Sequence, residues 1–327
     1  MTHSTYDTQE LLARHNLQPD RSFGQNFVAD PNTVRKIARL ADVGPGDRVL
    51  EIGAGLGALT LALMETGAAV TAVEIDKRIM AVLRMEVEPF GARVVEGDAL
   101  RMDWATILGP QKWVMVANLP YNIAVPLVMN LLSGVPQIER MLIMVQDEVG
   151  RRMIARPGSP FYGAVSVKIR YWALAKRVAK VGPNVFIPRP KVDSALIAIQ
   201  RWPHLHDIAY PDLAKLVNLL FKSRRQMIRR ALSHLTEEDF MSVGLSGTQR
   251  AEELRIEDFV RLAKETAALD GRRGDGDGPD PDSVVEPADT DLESSDGDDP
   301  GELSGHVEGV SGDVVRAHDE APPLELS

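Results

Sequence analysis

The chain has no cysteine among its 327 residues, which excludes disulfide bonds, Cys-ligated zinc, iron–sulfur clusters and cysteine nucleophiles. No hydrophobic run approaches the roughly 20 residues that a membrane-spanning helix needs. The first ten residues are polar and lack the apolar core of a secretory signal peptide. These absences predict a soluble, cytoplasmic protein that does not insert into a membrane.

Most of the chain carries no net negative charge, although the formal net charge of the whole chain is −10. Residues 271–327 contain 17 acidic and 3 basic side chains, whereas residues 1–270 contain 30 acidic and 34 basic side chains. The C-terminal segment is rich in Gly, Asp, Pro, Ser and Glu and has no aromatic residue, so it cannot bury enough surface to fold. We therefore expect a mildly basic folded body followed by a disordered acidic tail, residues 271–327.

Apolar runs alternate with amphipathic segments over the first two hundred residues, a pattern that is typical of a doubly wound α/β sheet. We predict strands at 47–52, 69–75, 92–96, 113–117, 141–145, 165–173 and 194–200. The last two lack an obvious helix between them and predict an antiparallel hairpin at the sheet edge. Residues 1–205 would form this Rossmann-like domain, and residues 206–270, helical by pattern, a small second domain.

The most distinctive segment, Asn118-Leu119-Pro120-Tyr121, follows an apolar run that predicts a buried parallel strand. Ligands of open α/β sheets bind at the carboxyl ends of strands. The Asn118 side chain and the Leu119 carbonyl, which Pro120 directs outward, would accept the two hydrogens of an amine on a planar base. Tyr121 would supply a stacking face for that base. A plain turn at a strand end is the alternative that the segment by itself leaves open.

A glycine-rich turn, Gly53-Ala54-Gly55-Leu56-Gly57, joins the first predicted strand to a helix. Glycines permit a tight turn here and a close approach of a ligand to the backbone. The spacing fits both a dinucleotide fingerprint and the nucleoside site of methyltransferases that use S-adenosylmethionine. Glu74 lies 21 residues after Gly53, at the distance expected for an acid that binds ribose hydroxyls. The turn predicts a nucleoside-type cofactor without deciding between the two.

Two further segments carry candidate ligand-binding residues. Residues 21–30 place Asn26 between two phenylalanines, which indicates either a docked loop or a lid that meets a ligand. Asp98 follows the third predicted strand and would either accept a hydrogen bond from an adenine amine or cap the turn at 102–108.

Five cationic side chains occur without an intervening acid in the predicted helical domain: Lys222, Arg224, Arg225, Arg229 and Arg230. Apolar residues between them predict the buried side of a helix. The cations would form either a solvated helix face or a surface that binds RNA phosphates.

Taken together and in this order, the motifs resemble those of the rRNA adenine N6,N6-dimethyltransferase family. The segments that carry the resemblance are Phe23–Phe27, Glu51–Gly57, Val73–Asp76, Gly97–Ala99, Asn118–Ile123, Phe186–Ala195 and Phe221–Gln226. The resemblance spans about residues 8–268 and favours the bacterial branch that modifies small-subunit rRNA. Two departures are Arg189, where the family commonly has proline, and Ala164-Val165, where it usually has Arg-Leu.

The resemblance implies S-adenosylmethionine as cofactor and a reaction without a metal. The residues that it implies for cofactor binding are Asn26, Val28, Gly53, Glu74, Asp98 and Asn118, with Glu74 at the ribose and Asp98 at the adenine amine. Those that it implies at the target adenine are Asn118, Leu119, Pro120 and Tyr121. The implied substrate is a pair of adjacent adenosines near the 3′ end of small-subunit rRNA, within an assembling 30S particle, and we expect a monomeric enzyme.

Three other functions stay open at this point. A methylase of large-subunit rRNA, of the antibiotic-resistance type, shares the central motifs. A non-catalytic assembly factor would bind rRNA through the basic stretch alone. A nicotinamide-dependent oxidoreductase would use the glycine turn but would leave residues 118–121 and the basic stretch unexplained.

Overall fold

The computed structural model describes residues 2–20, 22–120, 123–204 and 206–274. Its helices in those residues are α1 (Thr5–Arg14), α2 (Pro31–Ala41), α3 (Ala58–Met64), α4 (Lys77–Val87), α5 (Trp104–Leu108), α6 (Ala124–Gly134), α7 (Asp147–Ile154), α8 (Ala164–Trp172), α9 (Tyr210–Phe221), α10 (Ile228–Ala231), α11 (Glu237–Ser242) and α12 (Ile256–Gly274). Its strands are β1 (Phe27–Val28), β2 (Arg48–Ile52), β3 (Ala69–Glu74), β4 (Arg93–Glu96), β5 (Trp113–Asn118), β6 (Ile138–Gln146), β7 (Ala173–Val181), β8 (Phe186–Ile187) and β9 (Ser194–Arg201). No helix within these ranges is long and apolar enough to cross a membrane.

Seven of the strands form one sheet in the order β4–β3–β2–β5–β6–β9–β7. The strands from β4 to β6 are parallel, whereas β9 pairs antiparallel with both β6 and β7. This confirms the predicted doubly wound sheet, and an antiparallel pair does lie at its edge, although β7 replaces the strand predicted there. The strand order reverses between β2 and β5, and open α/β sheets bind ligands beyond the carboxyl ends of strands at such a point. The topology therefore directs attention to the ends of β2 and β5.

Helices cover both faces of the sheet, which explains why its strands are continuous apolar runs rather than alternating ones. In β5, Met115 and Ala117 pack into one apolar cluster with α6. Val114 and Val116, on the other face, pack into a second cluster with α2 and α3. The strand that ends in Asn118 is thus fixed from both sides.

The helices α9 to α12 share the core of the sheet region. Their buried side chains, such as Val217, Phe240 and Phe259, belong to the same apolar cluster as β5 and α6. Contacts join all of the described residues into one compact unit. The boundary near residue 205 stays a prediction, because this shared core does not mark one.

The strand predicted at 165–173 is wrong, because these residues belong mostly to helix α8. Alternating apolar residues favoured a strand, yet the neighbours Ser166 and Val167 are both buried. The helix packs against α6, α7 and α9 at once, so burial of several faces hides its helical period. The Ser166 hydroxyl also donates to the Arg152 carbonyl at 2.6 Å and anchors the first turn. The true edge strand is β7, directly after this helix.

Helix α12 ends at Gly274, so the first four residues of the predicted acidic tail are helical. The prediction of disorder is therefore wrong for these four residues, 271–274. The rest of it, residues 275–327, lies outside the described residues.

Candidate active site

A cavity of about 230 Å³ opens at the carboxyl edge of the sheet, where β2, β3, β4 and β5 end. The segment 22–28 forms another of its walls. All six residues predicted to contact the cofactor line it: Asn26, Val28, Gly53, Glu74, Asp98 and Asn118. Leu119 and Pro120 line it as well, whereas Tyr121 lies outside the described residues. The fold therefore brings distant motifs to one place, and their contacts with a ligand stay predictions.

The turn after β2 requires glycine at two positions that face the cavity. Gly53 and Gly55 have backbone φ angles of +74° and +57°, which side chains rarely adopt. A Cβ at residue 53 would lie 3.7 Å from the Asn118 carbonyl oxygen. A Cβ at residue 55 would lie 3.0 Å from the Phe27 ring. The backbone conformation therefore selects glycine at both positions, and close packing against Phe27 adds to this at residue 55.

Glu74 ends β3 and is only 6% exposed. Its carboxylate accepts hydrogen bonds from the Gly55 N–H at 2.8 Å and from the N–H groups of Ile75 and Asp76, both at 2.9 Å. Burial raises the pKa of this carboxyl, and the three hydrogen bonds oppose that shift. The side chain ties the glycine turn to β3 and has further lone pairs with which to accept ribose hydroxyls.

Glu51 is a buried acid of the cavity that the motif reasoning missed. It lies inside β2, is 1% exposed, and accepts a hydrogen bond from the Thr60 hydroxyl at 2.6 Å. Burial raises its pKa to about 8, the Thr60 hydrogen bond opposes the shift, and the nearby Glu74 adds to it. An acid between the apolar residues Leu50 and Ile52 of a strand was the available signal, since glutamate is almost never fully buried without a role or a partner.

The Asn118 side chain is oriented by the segment 22–28. Its Nδ2 donates to the Asn26 carbonyl at 2.8 Å, so its oxygen, Oδ1, is kept as an acceptor. Leu119 is 1% exposed, and its N–H donates to the Met144 carbonyl of β6 at 3.0 Å. The polar end of β5 is therefore held in place by the backbones of two neighbouring segments.

The segment 22–28 is docked on the sheet rather than free. Its last two residues form β1, which pairs antiparallel with β8, although their sequence did not predict a strand. Gln25 donates to the carboxylate of Asp76 at 2.8 Å, and Asp76 is the N-cap of α4. Arg78 bridges Asp76 at 2.7 Å and Asp20 at 3.1 Å. These bonds hold this cavity wall against the N-terminus of α4.

Asp98 does not cap the helix that follows it. The N-cap of α5 is Asp103, which accepts from the Thr106 N–H at 3.3 Å. Asp98 instead accepts from the Leu100 N–H at 2.9 Å and faces the cavity, with Arg101 at 3.6 Å. The alternative that assigned it to the turn at 102–108 is therefore wrong, and its contact with an adenine amine stays a prediction.

The charge of the cavity wall distinguishes between the two kinds of cofactor. The described residues of the wall include three carboxyl groups, Glu51, Glu74 and Asp98, and no Lys, Arg or His. The pyrophosphate of a dinucleotide would find no cation in this wall and would depend on the backbone N–H groups at the start of α3 alone. S-adenosylmethionine offers ribose hydroxyls, an adenine amine and positive charge, all of which suit carboxylates. The residues present therefore fit this cofactor. No group of three or more His, Cys, Asp or Glu among the described residues could hold a metal ion.

The five cations predicted to bind phosphate do not share a helix face, because α9 ends at Phe221 and α10 begins only at Ile228. Backbone pairing replaces the predicted helix: the Ile228 N–H donates to the Gln249 carbonyl at 2.8 Å, and the Arg229 N–H to the Gly247 carbonyl at 3.0 Å. We call residues 222–230 the basic turn. The helix predicted there is wrong for all but its last three residues.

Arg224 differs from the other cations of the basic turn. It is half-buried, lies 3.2 Å from the Glu252 carboxylate, and donates to the Pro160 carbonyl at 3.3 Å. These contacts give it a structural role between three segments. The four cations with exposed side chains are Lys222, Arg225, Arg229 and Arg230.

Residues 16–268 match the model of the family described as ribosomal RNA adenine dimethylase. The chain belongs to this family. The match spans the sheet, the cavity and the helices that follow, and it confirms the resemblance seen in the motifs. As a member of the family, the protein is an S-adenosylmethionine-dependent methyltransferase with an rRNA partner.

Curated relatives cover most of the chain. The protein named ribosomal RNA small subunit methyltransferase A in Thermobifida fusca (strain YX) is 43% identical over 271 residues, or 79% of this chain and 94% of the relative. The protein of the same name in Streptomyces coelicolor is 41% identical over 272 residues, with coverages of 79% and 94%.

Solved structures share the fold. The 23S rRNA methyltransferase ErmE is 27% identical with a TM-score of 0.60, covering 73% of this chain and 98% of that one. A dimethyladenosine transferase from Plasmodium falciparum, 24% identical with a TM-score of 0.63 and coverages of 73% and 96%, supports the fold alone.

Proposed function

We propose that the protein dimethylates the N6 amines of two adjacent adenosines in a hairpin loop near the 3′ end of small-subunit rRNA. It would act as a monomer in the cytoplasm, on an assembling 30S particle. The observation that carries the chemistry is the Asn118 amide, held with its oxygen as an acceptor in a cavity that suits S-adenosylmethionine. The choice of subunit is supported by identities of 41–43% to proteins named for the small subunit, against 27% to a 23S rRNA enzyme.

The amine of adenine is a poor nucleophile because its lone pair is delocalised into the ring. S-adenosylmethionine supplies a methyl group on a positively charged sulfur. The Asn118 oxygen and the Leu119 carbonyl would accept the hydrogens of the amine and direct its lone pair at that methyl group. In this reaction a C–N bond would form as the C–S bond of the cofactor breaks, and the amine would lose its proton to water. Alignment supplies most of the rate enhancement in such a displacement.

The exposed cations of the basic turn would hold the RNA backbone while a target base leaves its stack. Unstacking costs a few kcal/mol for each base, and two neighbouring bases must enter the cavity in turn. Phosphate contacts can supply this free energy without any requirement for sequence. A loop already loosened in a partly assembled particle would lower the cost further.

Mass spectrometry of nucleosides tests the proposal after incubation with hypomethylated small subunits and, separately, with protein-free large-subunit rRNA. We expect N6,N6-dimethyladenosine at two neighbouring positions of the small-subunit rRNA, and far slower product formation with Asn118→Ala. Product in the large-subunit rRNA alone would assign the protein to that substrate. Monomethyl product alone would refute two successive transfers. Stable binding of small subunits without any methylated product would favour the non-catalytic assembly factor.

A further inference from the structure

The loop between β7 and β9, residues 182–193, lies at the same edge of the sheet as the cavity. Ser194, the first residue of β9, pairs with Val181 at the end of β7 and with Gln146 at the end of β6. Because β6 runs parallel to β5, its end and the end of β5 lie at one edge. The loop therefore begins and ends beside the carboxyl edge where Asn118 lies.

A short series of contacts connects this loop to Asn118. The Asn118 amide binds the Asn26 carbonyl at 2.8 Å. The next residue, Phe27, pairs with Ile187 of the loop, and paired strands place such Cα atoms about 5 Å apart. Arg189 follows Ile187 by two residues, so their Cα atoms are at most about 7 Å apart. The Arg189 Cα atom therefore lies within about 12 Å of the Cα atom of Phe27, a residue that lines the cavity.

The charge at this position is unpaired. Arg189 and Lys191 are exposed, and within the described residues neither side chain forms an ion pair or a hydrogen bond. Three other cations of the region lie within 3.1 Å of a carboxylate: Arg151, Arg177 and Lys180. Two positive charges at the cavity mouth are thus available for a negatively charged partner.

We propose that Arg189, assisted by Lys191, binds the RNA phosphate adjacent to the target adenosine, an inference that rests on the proposed function. A base that swings out of its stack into the cavity leaves its own phosphates outside the mouth. A guanidinium there offers two parallel hydrogen bonds to phosphate oxygens, a geometry that lysine does not reproduce. This contact would position the flipped nucleotide itself, in addition to the backbone contacts of the basic turn.

The test compares Arg189→Ala with Arg39→Ala in the full chain. Arg39 is likewise exposed, but it lies in the last turn of α2. The end of this helix accepts hydrogen bonds from Arg140, near the start of β6, so Arg39 is at the opposite edge of the sheet. Each variant is assayed for methyl transfer to hypomethylated small subunits. Binding of a short single-stranded adenosine-rich RNA is measured by fluorescence anisotropy over a salt series, and binding of S-adenosylmethionine by calorimetry.

We expect Arg189→Ala to raise the KM for small subunits and weaken oligonucleotide binding by roughly 10-fold. The slope of log affinity against log salt should fall by about 0.7, as for one phosphate contact on a single strand. The affinity for S-adenosylmethionine should stay within about twofold of wild type, and Arg189→Lys should restore the slope but only part of the affinity.

Equal KM, affinity and salt slope for Arg189→Ala and Arg39→Ala would overturn the inference. A wild-type protein that binds the oligonucleotide but does not methylate small subunits would defeat the proposed function, and the binding slopes would still decide the role of Arg189. A wild-type protein that binds neither RNA would overturn both.

Discussion

Polar side chains of the cavity are held by backbone groups, whereas those of the basic turn mostly extend into solvent. Glu74 accepts three backbone N–H groups, and Asn118 donates to a backbone carbonyl 92 residues away. Lys222, Arg225 and their exposed neighbours have no such support. Methyl transfer depends on alignment of the reacting atoms, while phosphate binding needs only charge within reach. Single substitutions in the cavity should therefore reduce methyl transfer strongly, whereas those in the basic turn should weaken RNA binding in small, additive steps.

The largest effect is expected for Asn118→Ala, which removes an acceptor that orients the reacting amine. The single-turnover rate should fall by roughly 100-fold or more, while the affinity for RNA changes little. Asn118→Asp keeps an acceptor oxygen but cannot donate to the Asn26 carbonyl. The rate of Asn118→Asp should lie between those of the wild type and Asn118→Ala. Rapid quenching with labelled cofactor measures the single-turnover rates of all three proteins. Wild-type rates in both variants would place the reacting amine elsewhere.

The next largest effect is expected for Glu74→Gln. The new amide would turn an NH₂ group towards backbone N–H donors that the carboxylate now accepts. We expect weaker binding of S-adenosylmethionine by about 1.5–3 kcal/mol, measured by calorimetry. Glu96→Gln is the matched control, since Glu96 also ends a strand of the sheet but is exposed. An equal affinity in the two variants would contradict a ribose contact at Glu74.

Glu51→Gln should change how stability depends on pH. Burial raises the pKa of Glu51 from 4.5 to about 8, so between these values the folded protein keeps a proton that the unfolded chain releases. The free energy of unfolding of the wild type should therefore fall as the pH rises through this range. Because glutamine cannot titrate, the variant should lose less stability than the wild type over the same pH range. The difference in free energy of unfolding should be on the order of a few kcal/mol.

Urea unfolding at pH 5, 6, 7 and 8, without cofactor, measures this difference for wild type and Glu51→Gln. Titrating groups that do not interact with Glu51 contribute equally to both proteins and cancel in the comparison. Parallel stability curves would show that Glu51 is already ionised in the folded protein.

The smallest effects are expected in the basic turn. Substitution of Arg224 should lower stability, whereas substitution of its exposed neighbours should weaken RNA binding. Arg225→Ala with Arg229→Ala should lower the salt slope of RNA binding by roughly 0.9 for each duplex phosphate that is no longer neutralised, and should leave the free energy of unfolding nearly unchanged. Arg224→Ala should instead cost about 0.5–1 kcal/mol of stability, because it breaks the pair with Glu252 and the bond to Pro160. Identical salt slopes for wild type and the double variant would show that Arg225 and Arg229 are solvated side chains that do not contact RNA phosphates.

The features that the sequence determined by itself depend on near neighbours along the chain. Asp30 and Asp76 are both N-caps of helices, and an N-cap needs only the next turn of backbone. The strand–turn–helix around Gly53 follows from an apolar run and from glycines that side chains cannot replace. The position of Asn118 at a strand end follows from the same local pattern.

Only the tertiary structure decided the features that depend on distant partners. Helix α8 is buried by three other helices, so its alternating sequence pointed to the wrong period. The basic turn departs from a helix because residues 247–249 accept its backbone N–H groups. Gln25 meets Asp76 across 51 positions, and the pKa of Glu51 is set by burial within the sheet. Local sequence does not encode such partners, since burial and long-range hydrogen bonds arise only when the chain has closed on itself.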